Sequence, residues 1–210
     1  MDPFSVDAYT PVEIARRLEK ISMSKCTVDP LRVFALSLLA GAFIALGAAF
    51  FTLVTSDVGN MPAGVMRLIG GLAFCLGLIL VVVAGAELFT GNNLLVMAFI
   101  DGLISFRQLI QNWAIVYIGN FMGAVGILLL MYLSGLWWQG DGALGHKVVS
   151  IADSKVNLSW IEAFTRGVLC NILVCLAVWL CMAGRSVTDK VLAVIFPITA
   201  FVALGFEHSV

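Results

Sequence analysis

Two long apolar runs of this sequence are each interrupted by a Gly-x-Glu triplet. The first reads V-V-A-G-A-E-L-F-T over residues 82–90, and the second reads V-A-L-G-F-E-H-S-V over residues 202–210, 120 residues later. An ionisable side chain at membrane depth is costly and is tolerated mainly where it faces protein or a water-lined path. Glu87 and Glu207 therefore mark a candidate site, and the neighbouring His208 adds an imidazole that can exchange a proton near neutral pH.

Two roles are open to these carboxylates. They could relay protons, or they could accept hydrogen bonds from backbone N–H groups that a broken helix leaves unpaired in a dry interior. We favour the structural role. Thr90 also has two possible roles, because its hydroxyl could face His208 across a pore or could cap the half-helix that resumes after the first interruption.

Composition places the chain in a membrane. Hydrophobic residues make up 61% of the sequence and charged residues 12%, and the mean hydropathy is +1.04. A soluble domain of this length could not bury so much apolar surface, so we predict an integral membrane protein in contact with the lipid bilayer. The net charge of −1 argues against nucleic acid as a partner.

Neither a metal site nor a cofactor is expected. The five cysteines lack metal-ligand spacing and are interpreted as packing residues. An intramembrane enzyme built on His208 and Glu207 is an alternative from another class, but no nucleophile–base pair or ligand triad supports it. A membrane scaffold without transport activity is a further alternative.

The elements around the two interruptions follow from hydropathy and capping signals. Thr10-Pro11-Val12-Glu13 predicts a helix start with a capping box, and the helix from residue 10 to 23 is amphipathic. Predicted spans cover residues 31–55, 68–84 resumed at 94–100 after the break, 109–136, 164–182 and 191–204, with an interfacial loop over 137–160. Close helix contacts are predicted at Ser37, Gly41, Ala45, Ala49 and at Gly119-x-x-x-Gly123.

The two halves predict an inverted repeat of three spans. Residues 1–30 form an N-terminal cytoplasmic segment, and residues 31–210 a transmembrane domain with a first repeat over 31–136 and a second over 161–210. Basic residues ahead of the first span place the N-terminus in the cytoplasm, and Met1 to Phe4 lack the features of a signal peptide. On this pattern the second repeat lacks its last half-helix and the sixth span.

Several segments resemble the formate/nitrite transporter family. They are A-G-A-E-L-F-T-G-N at 84–92, N-W-A-I-V-Y-I-G-N-F-M-G at 112–123, C-N-I-L-V-C-L-A-V-W-L at 170–180 and G-F-E-H-S-V at 205–210. Within the family, A-D-S-K-V at 152–156 and G-R-S-V-T-D-K-V at 184–191 are most similar to the formate channels. The resemblance covers essentially the whole chain.

The resemblance implies an all-α, aquaporin-like protomer with the second and fifth helices broken, assembled as a homopentamer in the inner membrane. It implies a channel rather than an enzyme. The substrates would be formate and other small monovalent anions, which cross either as the anion or as the neutral acid after protonation at a central histidine. A nitrite or hydrosulfide channel of the same family is the alternative.

The resemblance also implies roles for individual residues. The apolar constrictions match Phe74, Leu78, Leu88, Val174 and Phe201. The pore and proton-relay residues match His208, Thr90, Glu207 and Asn171, and the outer residue that attracts anions matches Lys155. The interrupted loops are built by Gly85, Glu87, Gly91, Asn92 and Gly205. The polar residue that the family carries on its last helix has no counterpart in this sequence.

Overall fold

The computed structural model describes residues 9–57, 59, 61–138 and 140–209, and within these ranges every regular element is helical. The helices are α1 (Pro11–Thr27), α2 (Pro30–Val54), α3 (Ala63–Ala84), α4 (Phe89–Asn92), α5 (Leu95–Ile100), α6 (Phe106–Leu133), α7 (Ala143–Val156), α8 (Trp160–Ala183) and α9 (Val187–Leu204). Of the described helices, α2, α3, α6, α8 and α9 are long and apolar enough to cross a membrane. The five predicted spans are therefore confirmed, while the predictions for Met1–Phe4 and Val210 lie outside the described residues.

Helix α1 begins as its sequence predicts. The Thr10 hydroxyl accepts a hydrogen bond from the Glu13 N–H over 3.3 Å, and the Glu13 carboxylate accepts one from the Thr10 N–H over 2.8 Å. Pro11 occupies the first turn, where no amide hydrogen is needed. The helix continues to Thr27, past the predicted end at residue 23, and buries Ile14 and Leu18.

Small residues let α2 and α6 pack in close contact. A β-carbon on Gly41 would overlap the carbonyl oxygen of Asn120, and one on Gly119 would overlap the hydroxyl of Ser37. Gly123 lies in the same way against the carbonyl of Leu38. The predicted packing faces of the two helices are thus confirmed for Ser37, Gly41, Gly119 and Gly123, and any larger side chain at these glycines would separate the helices.

Helices α3 and α9 cross in antiparallel directions. A β-carbon on Gly71 would lie 2.8 Å from the carbonyl oxygen of Thr199, and four residues later the Cys75 thiol lies 3.5 Å from the carbonyl oxygen of Ile195. Residues with higher numbers in α3 thus contact residues with lower numbers in α9. This is the relation that an inverted repeat requires between equivalent helices.

The two Gly-x-Glu interruptions have the same backbone geometry. Gly85 ends α3 with φ 72° and ψ 34°, and Gly205 ends α9 with φ 74° and ψ 34°. In both cases the next amide reaches back five residues, from Ala86 to the Val81 carbonyl at 3.0 Å and from Phe206 to the Phe201 carbonyl at 3.1 Å. Left-handed backbone at a helix C-terminus strongly favours glycine, so the repeated glycines build the repeated breaks.

The predicted interfacial loop over 137–160 is wrong in part, because it contains the 14-residue helix α7. Its N-cap is Gly142, which offers no capping side chain, and its sequence has a weak apolar face on which only Leu144 is buried. Helix α7 precedes α8 as α1 precedes α2. The repeated unit therefore begins with a short helix ahead of its first span.

Candidate functional site

Two cavities lie one after the other along α8. The α1 cavity, of about 360 Å³, is lined by α1, the end of α3, the segment 85–95 and, on α8, Val178 and Met182. The α8 cavity, of about 770 Å³, is lined on α8 by residues from Ala163 to Cys175, together with Lys155, Glu207 and His208. No lining residue is common to the two.

An apolar cluster adjoins both cavities, because Leu78 and Leu88 line the α1 cavity and Phe201 packs against His208 of the α8 cavity. Leu78, Leu88, Val174 and Phe201 are buried together in the main core, each at most 3% exposed. Phe74 packs edge-on against Phe201 with ring centroids 5.4 Å apart. The structure thus brings together all five residues that the resemblance assigned to the constrictions.

The first interruption is held by a network of charged and amide side chains. The Glu87 carboxylate accepts hydrogen bonds from Lys25 Nζ and from Asn92 Nδ2, each over 2.8 Å. Lys25 also donates to Asn92 Oδ1 at 2.6 Å, and Asn92 donates to Asn112 Oδ1 at 2.9 Å. Among the described residues, the donors to this carboxylate are side chains and not the backbone N–H groups that the sequence predicted, and the Glu87 N–H itself donates to Leu36 O.

Asn120 on α6 ties the same interruption to α2. Its side chain is fully buried, and Oδ1 accepts a hydrogen bond from the Phe89 N–H over 2.8 Å. Nδ2 donates to the carbonyl oxygens of Ser37 and Glu87, each over 2.8 Å. In the sequence, Asn120 directly follows Gly119 within the predicted Gly119-x-x-x-Gly123 packing face. The available signal was an amide placed between two glycines that draw the helices together.

The second interruption repeats the ion pair of the first. Lys155 of α7 pairs with Glu207, as Lys25 of α1 pairs with Glu87. The side chains of the second pair are 48% and 21% exposed, against 24% and 11% for the first. Lys155 is predicted to attract anions from the outer side, and in the structure its ammonium group is paired with the Glu207 carboxylate.

The Thr90 hydroxyl is not hydrogen-bonded to His208. Thr90 is fully buried in α4, and its hydroxyl has no hydrogen-bond partner among the described residues. The alternative role as an N-cap is also wrong, because Leu88 holds that position. His208 lines the α8 cavity and packs its ring against Phe201 at 6.0 Å between centroids.

Asn171 and Gly91 are the remaining predicted site residues. Asn171 donates from Nδ2 to the Gly167 carbonyl at 2.8 Å and accepts from Asn93 Nδ2 at 2.7 Å. A β-carbon on Gly91 would contact the Val178 side chain at 3.5 Å. The first interruption therefore packs directly against α8, the helix that lines both cavities.

A model of one known family matches this chain. The model described as "Formate/nitrite transporter" covers residues 12–210. The chain belongs to the formate/nitrite transporter family. The family resemblance seen in the sequence is thereby confirmed, as is the fold class of an all-helical membrane protein with broken helices.

Individual members of the formate/nitrite transporter family are similar over nearly the whole chain. "Formate channel FocA" of Escherichia coli K12 is 44% identical over 209 residues, which are 100% of this chain and 73% of the relative. "Formate channel FocA" of Haemophilus influenzae is 42% identical, covering 97% of this chain and 72% of the relative. These relatives are named as channels and not as enzymes.

Two solved structures of the family share the fold. One, a "Pentameric formate channel with formate bound", has a TM-score of 0.78 and 40% sequence identity, covering 85% of this chain and 70% of that one. The other, an "FNT family ion channel", has a TM-score of 0.83 and 29% identity, covering 94% and 78% of the two chains. Within the described part of this family member, no group of three or more His, Cys, Asp or Glu residues could hold a metal ion.

Acidification should strengthen the contact of α1 with the end of α5. The pKa of Glu19 is raised, first by desolvation and then by its hydrogen bond and repulsion with Asp101, against a smaller effect of Arg16. A raised carboxyl pKa means that folding favours the protonated form, so this contribution is present at low pH and is lost as pH rises through the folded-state pKa. We expect amide hydrogen exchange in α1, corrected for intrinsic rates, to be slower at pH 5 than at pH 7.5.

The variant Glu19→Gln should remove most of that pH dependence, and Glu13→Gln on the same helix serves as the control. The pKa of Glu13 is lowered by its hydrogen bonds with Thr10, so its contribution has the opposite sign and is lost on acidification. Exchange that responds to pH equally in Glu19→Gln and in the unmodified chain contradicts the prediction.

Proposed function

We propose that this chain forms a membrane channel for formate and related small monovalent anions, assembled as a homopentamer with a pore in each protomer. The similarity to formate channels over the whole chain supports the substrate class, and the similarity to a pentameric formate channel of known structure supports the pentamer. The observation that carries the proposal is a buried apolar cluster that adjoins one cavity through Leu78 and Leu88 and the other through the contact of Phe201 with His208. That arrangement suits a narrow, selective path.

The proposed orientation places the channel in the inner membrane with the N-terminus in the cytoplasm. Arg16, Arg17, Lys20, Lys25 and Arg32 precede or begin the first span, and such positive clusters remain on the cytoplasmic side. The α1 cavity is then the cytoplasmic vestibule and the α8 cavity the outer one. Residues 1–30 form the cytoplasmic segment, and the channel domain begins at residue 31.

The physical problem for such a channel is the apolar cluster. An anion that loses its hydration there faces a cost of several kcal/mol even after relaxation, whereas a neutral acid faces much less. His208 lies in the outer vestibule and touches Phe201 of the cluster. We propose that the imidazolium of His208 donates its proton to formate, that the neutral acid crosses the cluster, and that His208 regains a proton from water.

Thr90 supplies the polar atom inside the dry part of the path. Its buried hydroxyl lacks a partner among the described residues, and a hydroxyl in that state can accept or donate a hydrogen bond to a passing acid. Leaving such a group unsatisfied is costly. A substrate that satisfies it would be stabilised where hydration has been lost.

Proteoliposome swelling tests the proposed function directly. Vesicles that contain the chain should swell in formate and not in sucrose, and a panel of formate, nitrite, hydrosulfide, acetate and lactate should place formate among the best substrates. No swelling in any anion would overturn channel activity and would favour a scaffold. Faster conduction of nitrite or hydrosulfide than of formate would overturn the substrate assignment alone.

The variant His208→Phe tests the proton transfer. An apolar ring of similar shape retains the packing against Phe201 but has no titrating nitrogen, so we expect the proton movement that accompanies formate uptake to fall about tenfold or more. The measurement is internal pH, followed with a trapped dye, against radiolabelled formate uptake. His146→Phe is the control, since His146 lies on α7 outside both vestibules. Unchanged coupling in His208→Phe would show that the anion itself crosses.

A further inference from the structure

A pair of amide side chains lies in the outer vestibule, and the family motifs indicated only one of its members. Asn93, in the turn between α4 and α5, donates from Nδ2 to Oδ1 of Asn171 over 2.7 Å. Asn171 donates from its own Nδ2 to the carbonyl oxygen of Gly167 over 2.8 Å. Both asparagines line the vestibule together with His208. The hydrogen bonds fix the orientation of both amides.

The remaining hydrogen-bonding groups of the pair are suited to an anion. Each Nδ2 carries two hydrogens, and among the described residues only one of each is bonded to protein. The oxygen of Asn171 already accepts one hydrogen bond from Asn93, and its Nδ2 retains one N–H donor. Asn93 likewise retains one N–H. Two donors from neighbouring amides match the two oxygens of a small carboxylate.

The charged side chains nearby are paired with each other, so neutral amides are the groups that can bind an anion. Lys155, which also lines the vestibule, is paired with Glu207. An anion at this point would therefore meet a cation whose charge is largely balanced by its partner. Neutral N–H donors hold an anion without the strong attraction of a free cation, and conduction requires binding that is weak enough for release.

We propose that Asn93 and Asn171 form an anion subsite in the outer vestibule, which binds a small planar anion through one N–H group of each amide before the anion reaches His208. The inference rests on the proposed channel function and adds Asn93 as a residue that both binds substrate and positions Asn171. Oδ1 of Asn93 remains able to accept the O–H of the acid once His208 has protonated it.

The variants Asn93→Leu and Asn93→Asp test the subsite in formate flux assays. Removing one direct hydrogen bond and releasing Asn171 should raise the half-saturation concentration for formate about tenfold in Asn93→Leu, with the maximal flux unchanged within about twofold. Asn93→Asp retains the side-chain volume but cannot donate to Asn171 and repels the anion, so its half-saturation concentration should rise at least as far. Asn157→Leu is the control, because Asn157 bonds to Asp153 and lines neither vestibule.

A double variant separates direct binding from general damage. If the two amides act as one unit, Asn93→Leu combined with Asn171→Leu should raise the half-saturation concentration little further than either change alone. Should Asn93→Leu fail to assemble, the isosteric Asn93→Asp decides the question. A half-saturation concentration within twofold of the unmodified chain in Asn93→Asp, or a loss confined to maximal flux, would overturn the subsite. An unmodified chain that passes no formate would instead overturn the proposed function and the subsite with it.

Discussion

Lys25→Met should lower the free energy of unfolding by on the order of 2 kcal/mol, whereas Lys155→Met should lower it by less than about 1 kcal/mol. Breaking a fully buried ion pair costs about 3–5 kcal/mol because a charge is left without a partner, while exposed pairs contribute about 0–1 kcal/mol. The Lys25–Glu87 pair lies between these limits, since its side chains are 24% and 11% exposed and it shares hydrogen bonds with Asn92. The Lys155–Glu207 pair is about twice as exposed.

Unfolding of the purified chain in detergent micelles measures this difference, because the inverted repeat supplies its own matched control. Both lysines lie near the end of a short helix ahead of a span, and both pair with the glutamate of a Gly-x-Glu break. The double variant Lys25→Met with Glu87→Gln should recover part of the loss, because it removes the uncompensated charge. Equal losses in the two single lysine variants would show that the hydrogen-bond network around Glu87 adds nothing to the pair.

The expected difference between the Lys25 and Lys155 variants reflects how the first break is held. The first break is fixed on several sides, by Lys25 from α1, by Asn112 from α6 and by Asn120 from the same helix. The second break shares the lysine pair and the glycine geometry. Of the residues proposed to handle substrate, Thr90 and Asn93 lie at the first break and His208 at the second.

The sequence predicts the framework because local rules determine it. Spans follow from hydropathy and length, the start of α1 from the Thr10–Glu13 capping box, and the breaks from glycines that adopt left-handed backbone. Each of these signals lies within a few residues of the feature that it determines. For this reason the predicted span boundaries agree with the structure to within a few residues.

The partners of the site residues could not be predicted in the same way. Lys25 is 62 residues from Glu87, and Asn120 is 31 residues from Phe89. No local pattern distinguishes a lysine that pairs with a distant carboxylate from one that attracts anions, which is why Lys155 was assigned only the second role. The state of Thr90 could not be predicted either, because its burial without a hydrogen-bond partner depends on the packing of α4 against α8.

Asn120→Leu should have a larger effect than either lysine variant, lowering the free energy of unfolding by about 3 kcal/mol or more. The leucine is close in volume but leaves the Phe89 N–H and the Glu87 carbonyl oxygen without their partner, and it removes the additional hydrogen bond to the helical carbonyl of Ser37. Each buried group left unsatisfied costs about 1–3 kcal/mol, and lipid supplies no replacement. The same exchange at Asn157, whose amide lies at the exposed end of α7, should change the free energy of unfolding by less than about 1 kcal/mol.

Hydrogen exchange at the Phe89 amide distinguishes this mechanism from loosened helix packing. If Asn120 holds the break itself, the Phe89 N–H should exchange much faster in Asn120→Leu, while amides in the middle of α2 and α6 remain protected under native conditions. Increased exchange along α2 and α6 with the Phe89 amide still protected would contradict that role. The Gly119-x-x-x-Gly123 face brings the helices together in either case. The exchange pattern in Asn120→Leu therefore reports what the amide of Asn120 contributes to holding the break.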